Sequence, residues 1–362
     1  MADANDWQQQ ICPLPRYDQA QVLLGHGSGG MLMAELIERV FLPAWNNSTL
    51  AALEDQATVD LAMHRQDAST THAPRIAFTT DSYVVRPLFF PGGDIGTLAV
   101  HGTVNDLAVG GAIPKFLSAA FILEEGLPID DLRRIVSSMQ SACQHSGVLL
   151  VTGDTKVVDR GKGDGVFITT SGIGIVPDHR QLSIHSAQPG DHVLVSGTIG
   201  DHGIAIMSVR EGIEFETVLE SDSAPLVGLT EAMLACCPRI RSMRDPTRGG
   251  LASTLNEIAA ASRVGVRLSE AAIPMRREVR AACEMLGLDP LYVANEGKLA
   301  AVVPAEDATE VLAAMRQHPL GRDAADIGAI VADHPGLVLL KTVIGGERVV
   351  SMLAGEQLPR IC

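Results

Sequence analysis

The sequence predicts an α/β protein (α+β in the ordering of its elements) of two domains, and three observations carry that prediction. The chain has 362 residues, 46% hydrophobic and 20% charged, enough for two cores at about 100–200 residues per domain. Short apolar runs alternate with stretches of helical spacing from Arg75 to Val176 and again from His192 to about Val343. Between them, Val176-Pro177-Asp178 and Pro189-Gly190-Asp191 interrupt both patterns. Residues 1–20 therefore read as a leader, 21–178 as the N-terminal domain, 189–345 as the C-terminal domain and 346–362 as a mobile tail.

In order along the chain, Pro13, Pro15 and four glutamines deny the leader any period. Gly25-His26-Gly27-Ser28-Gly29-Gly30 is a glycine loop entering a helix from Met31 to Phe41. Residues 46–74, rich in Ala, Thr and Asp, read as a surface connection. Strands are predicted at Ile76–Thr80, Tyr83–Val85, Leu117–Leu123, Val148–Val151 and Val166–Val176, with helices at Gly96–Val109 and Ile129–His145. His192–Ser196 opens the second domain, Leu299–Val303 is a later strand, and Arg348–Leu353 a short one after the Gly345-Gly346 turn.

Composition narrows the function. Acidic residues outnumber basic ones 43 to 28, a net charge of −15, so no general field draws nucleic acid or anionic lipid, and any phosphate must be met locally. No run approaches the ~18 apolar residues of a membrane span, and Met1–Gln10 is polar and acidic. A cytoplasmic protein without membrane or nucleic-acid partners is expected. The cysteines at 12, 143, 236, 237, 283 and 362 lack paired CxxC spacing, and Cys236 and Cys237 read as buried thiols.

Chemistry concentrates at a few places. Asp81 follows a strand, Asp106 follows Asn105 in Gly102-Thr103-Val104-Asn105-Asp106, and Asp245 opens Asp245-Pro246-Thr247-Arg248-Gly249-Gly250. Carboxylates delivered from loop ends beside small residues suit a hard divalent ion that also holds phosphate oxygens. A helix cap is the competing use of each one alone. Gly153-Asp154-Thr155-Lys156 follows an apolar strand, where a cation meets phosphate, although it is not a P-loop. Glu296, in Asn295-Glu296-Gly297, reads as an acid at a strand edge. Cys362 ends the chain after Leu358-Pro359-Arg360-Ile361. It is either an accidental terminal thiol or the tip of a carrier arm, stiffened by Pro359 and anchored by Ile361.

These motifs, with Asp81-Ser82-Tyr83-Val84-Val85, Phe90-Pro91-Gly92-Gly93-Asp94 and the terminal Pro359-Arg360-Ile361-Cys362, resemble in order and spread the HypE family, the carbamoyl dehydratases of [NiFe]-hydrogenase maturation. The likeness runs from about residue 20 to the last residue. It implies the PurM-like, or AIR synthetase-like, fold, with two α/β domains and a β-barrel formed across a homodimer. It also implies ATP and Mg²⁺, a HypF-type carbamoyltransferase that loads Cys362, and HypC- and HypD-type iron scaffolds that receive cyanide.

On that likeness, Asp81, Asp106 and Asp245 are metal ligands, with Asn105, Asp154 and Thr155 beside the nucleotide and Gly27, Gly29 and Gly30 closing over its phosphates. Lys156 steadies the γ-phosphate or carbamoyl oxygen, Glu296 is the base, and Cys362 is the carrier. Glu124 and Glu125 are further candidates. The leader and residues 54–74 exceed the family's minimal pattern, and no function is carried onto them. Two other readings stay open: a relative that phosphorylates a small substrate such as selenide, for which Cys12 would be the reactive thiol, and a nucleotide-binding scaffold without turnover.

Overall fold

Alternation of apolar and polar side chains builds the first sheet. The computed structural model describes residues 21–45, 47–60, 75–213, 219–353 and 361. Strands β1 (Ala57–Asp60), β2 (Arg75–Tyr83), the short hairpin β3 (Phe89–Phe90) and β4 (Gly93–Asp94), then β5 (Ile113–Glu124), β6 (Leu149–Val158) and β7 (Val166–Val176) lie in the N-terminal domain. Five of them form one sheet in the order β1-β2-β7-β5-β6. Helices α1 (Met31–Leu36) and α2 (Leu42–Trp45) precede the sheet, and α3 (Ile95–Val109) and α4 (Ile129–Ser146) cover one of its faces.

Helix α3 is apolar all round, as a helix at the centre of a core must be. Every residue in it except Thr97 and Asp106 is buried. Its start is set by Asp94, whose carboxylate accepts from the Thr97 amide at 2.9 Å and from Ser138 Oγ at 2.7 Å.

Among the described residues, nothing covers the apolar row on the opposite face of the sheet. Phe78 pairs with Ile173, Ile173 with Phe116 and Phe116 with Leu149, so one apolar row crosses four strands. All four side chains are exposed. The edge strand β6 adds Val151 and Val157, also exposed.

The C-terminal domain contains β8 (His192–Val195), α5 (Asp201–Glu211), α6 (Val227–Cys236), β9 (Ser242–Arg244), α7 (Gly250–Ser262), β10 (Gly265–Ser269), α8 (Arg277–Leu286), β11 (Ala300–Val303), α9 (Ala308–Gln317), β12 (Ala325–Val331), β13 (Val338–Lys341) and β14 (Glu347–Val350). Its sheet runs β14-β13-β10-β12-β8-β11-β9. Among the described residues, no helix is long and apolar enough to cross a membrane.

The structure departs from the sequence reading in several places. The two strands expected at Ile76–Thr80 and Tyr83–Val85 are one, β2, which ends at Tyr83 and leaves Val84 and Val85 outside it, and Asp81 sits inside β2 rather than after a strand. Gly153–Lys156 is not a loop, because β6 runs through it to Val158. Residues 46–74 are not all connection: β1 pairs with β2 from Ala57↔Phe78 to Asp60↔Arg75. The first helix runs past Phe41 to Trp45 through a widened turn at Ile37–Phe41. That turn precedes Pro43, whose ring does not fit a regular ladder. Cys237 is buried but Cys236 is only half-buried.

His101 gives the fold a pH dependence. Buried on α3 and bonded through Nδ1 to Ser223 Oγ at 3.0 Å, it is held down to about 4, first by burial and then by His145. An unfolded histidine protonates near 6.5, so stability is full above that value and declines as pH falls towards 4. Urea denaturation at pH 7.5 and pH 5 is expected to show a loss on the order of 2 kcal/mol from this group. The His101→Gln variant is expected to show a smaller loss.

Candidate functional site: a buried carboxylate cluster between the domains

Five acids from both domains share one seam. Asp55 precedes β1, Asp81 lies on β2, Asp106 is in the last turn of α3, Asp245 follows β9, and Glu296 precedes β11. Their proximity shows in how they disturb one another. Asp106 is driven well above the ordinary carboxylate range by burial, then by Asp245, Asp81 and Asp55. Asp245 is pushed up to about 8 by burial and then by Asp55, and Glu296 is raised by burial, Asp245, Asp81 and Asp222. Packed carboxylates in low dielectric resist ionisation unless a cation joins them.

The local cations answer only part of that charge. Arg244 pairs with Asp55 and with Glu257 at 2.9 Å. Arg248 approaches Asp81 at 3.4 Å and donates to the Gly27 carbonyl at 3.2 Å. Thr79 Oγ1 lies 2.9 Å from Asp106 Oδ2. Glu296 is 2% exposed, and its Oε1 has no hydrogen-bond partner among the described residues.

The backbone holds Glu296 tightly. Its amide donates to Asp222 Oδ1 at 3.0 Å, and Asn105 Nδ2 donates to its carbonyl at 3.3 Å. Gly297 cannot be replaced, since a Cβ there would meet the Asp222 carbonyl oxygen at 1.8 Å. Asn105, expected beside the nucleotide, is tied to the second domain in this structure. Its amide bonds the Ala224 carbonyl at 3.0 Å and the Leu226 amide at 2.8 Å, so it buckles the two domains together.

The glycine loop reaches the same seam. Gly29 has φ +73, and a Cβ on it would meet the Arg248 carbonyl oxygen at 2.5 Å, so glycine is required for this approach. A Cβ on Gly30 would meet the Leu353 carbonyl oxygen at 2.3 Å, whereas Gly27 faces open space. Asp81, Ser82, Tyr83, Thr247, Arg248 and Glu296 line a cleft of about 10 Å³.

Other expected residues stand apart. Asp154, Thr155 and Lys156 are exposed on β6. The register Asp81↔Thr170, Thr170↔Ala119 and Ala119↔Gly153 puts three strand spacings, about 14 Å, between Asp81 and Gly153. Glu124 is structural: it accepts from the amides of Gly161 at 2.6 Å and Gly165 at 3.1 Å, which lower its pKa. Cys362 and Cys12 lie outside the described residues.

Asp55 is the residue that sequence reasoning missed. Its signal was the β-branched alternation of Ala57-Thr58-Val59 just after it. Among the described residues, no three side chains of His, Cys, Asp or Glu converge closely enough to hold an ion as they stand. The donor set nevertheless fits a hard divalent cation: all oxygen, in charge excess, with one orphaned buried oxygen.

The chain matches the models of the AIR synthase related protein N-terminal domain over residues 54–176 and C-terminal domain over 188–340. Carbamoyl dehydratase HypE of Azotobacter vinelandii is 58% identical over 337 residues, covering 93% of this chain and 96% of that one. The chain belongs to the HypE carbamoyl dehydratase family. A HypE structure in complex with ATP shares 49% identity at a TM-score of 0.77, covering 94% of this chain and 100% of that one. A HypE–HypF complex gives 47% and 0.80, covering 88% and 99%.

Replacing one member of the cluster relieves repulsion. In metal-free protein, Asp106→Asn is expected to raise the melting temperature by about 2–4 °C per kcal/mol of strain removed. A fall in calorimetric melting temperature would show that the cluster is not in charge excess.

Proposed function

We propose that the protein is an ATP-dependent carbamoyl dehydratase that converts a carbamoyl group on Cys362 to a thiocyanate, the source of cyanide for [NiFe]-hydrogenase iron. The observation that carries this reading is the orphaned Oε1 of Glu296, buried in a carboxylate seam that accounts for both a nucleotide and a base. A HypF-type carbamoyltransferase loads the thiol, consistent with the HypE–HypF complex among its relatives. HypC- and HypD-type proteins receive the product.

The carbamoyl oxygen is a poor leaving group until it is phosphorylated. It attacks the γ-phosphoryl group of ATP as one N–H proton departs, ADP leaves, and an O-phosphorylated intermediate remains on sulfur. Loss of the second N–H proton to Glu296 then expels phosphate and closes the carbon–nitrogen triple bond. Mg²⁺ held by Asp81, Asp106 and Asp245, with Asp55 beside them, would neutralise the triphosphate. Arg248 swings from Asp81 to the phosphates, and the amides of Gly27–Gly30 close over them.

Lys156 stands too far across the sheet to serve the cluster of its own protomer. The exposed row Phe78–Ile173–Phe116–Leu149 and the apolar edge strand β6 are covered when a second copy closes the two sheets into a barrel. In that barrel the edge strand β6 of one protomer would run beside the other edge, β1 and its neighbour β2, of the second. Lys156, with Asp154 and Thr155, then completes the site of the opposite protomer.

Subunit mixing tests this. Lys156→Ala and Glu296→Gln homodimers are expected to be inactive, and their random mixture to recover about a quarter of wild-type dehydration, because half the dimers are mixed and each carries one intact site. A mixture as inactive as its parents would put Lys156 and Glu296 in one protomer's site.

A further inference from the structure

We propose that His202 is a positioning residue that seats the C-terminal tail for dehydration by hydrogen-bonding the carbonyl of Ile361, the residue bonded to Cys362. The inference rests on the reading of Cys362 as carrier. Ile361 is buried in the apolar cluster that contains Phe90, Ile206 and Ala294, two residues before Glu296. His202 Nε2 lies 2.6 Å from its carbonyl oxygen, and Nδ1 lies 2.8 Å from Ser221 Oγ. His202 is 0% exposed, and its ring stands edge-on to Phe90 at 5.6 Å between centroids.

The arrangement selects one tautomer. A carbonyl only accepts, so Nε2 carries the proton, and Nδ1 then accepts from the Ser221 hydroxyl. Burial holds the ring below the ordinary histidine pKa, against the pull of Asp222 and of the Ile361 carbonyl.

The same short loop also holds the base. Ser221 orients His202, the next residue Asp222 receives the Glu296 amide at 3.0 Å, and Ser223 bonds His101 at 3.0 Å. The Ser221 amide donates to the Pro91 carbonyl at 2.8 Å, tying the loop to the N-terminal domain. Residues 221–222 therefore register the seated tail against Glu296. A histidine used only for packing would need neither the oriented hydroxyl nor a tail carbonyl within bonding distance.

The test uses full-length protein, loaded with a carbamoyl group by the transferase and then mixed with ATP and Mg²⁺. Single-turnover water loss is read by mass spectrometry of the C-terminal peptide, and iodoacetamide labelling of unloaded Cys362 reads tail seating. His202→Leu is expected to slow water loss about tenfold, the worth of one hydrogen bond, and to speed Cys362 labelling, with ATP affinity unchanged. His202→Gln, which keeps an N–H near Nε2, is expected to restore both readouts. Ile361→Asp probes the same seat from the tail and is expected to behave like His202→Leu even where that variant folds poorly. Wild-type water loss and labelling in both His202→Leu and Ile361→Asp would overturn the proposal while leaving the carrier reading intact. Failure of that reading is separate: a Cys362→Ala protein that still forms a thiocyanate adduct elsewhere would sink the carrier reading alone.

Discussion

Everything at the seam depends on the cost of crowding five carboxylates, Asp245 and Glu296 buried and Asp55, Asp81 and Asp106 half-buried, where water screens them poorly. A buried carboxylate is tolerated when paired or bonded to donors, and among the described residues Arg244, Arg248, Thr79 and the Ser82 amide meet part of the charge. Charge excess of this kind suits a site in which a cation and a polyphosphate arrive together, because the ion alone satisfies the acids and the phosphates then satisfy the ion. The rigid parts of the fold serve this arrangement. Asn105 clasps the domains so that acids from both reach one point, and Gly297 lets the chain beside Glu296 pack directly on Asp222.

Two half-buried residues of the 221–223 loop link the parts that must meet. Asp222, bonded to the Glu296 amide and ion-paired with Lys298 at 3.3 Å, fixes the base from the C-terminal domain. Ser221, through His202, meets the end of the chain. The tail is thus not merely long enough to reach the seam: its penultimate residue has a built seat in the first domain's core.

Much of this was legible in the sequence, for physical reasons. Val166–Val176 alternates so regularly that its bounds coincide with β7, and α3 differs by one residue at its start. Asp81, Asp106, Asp245 and Glu296 could be singled out because each adjoins small residues at the end of a periodic run. What failed were judgements that depend on partners distant in the chain. Gly153-Asp154-Thr155 resembles a turn, yet pairing with β5 keeps it extended. β1 exists because β2 offers it an edge, and Asp55 comes with it. Nor does anything local show that residues 224, 226 and 296 bond the Asn105 amide.

The most direct test is mass spectrometry of the C-terminal peptide after incubation with carbamoyl phosphate and the carbamoyltransferase, followed by ATP with and without Mg²⁺. The account predicts a carbamoyl adduct on Cys362 that loses one water only when ATP and Mg²⁺ are both present. Loss of water without nucleotide, or a carbamoyl adduct on any residue other than Cys362, would contradict it.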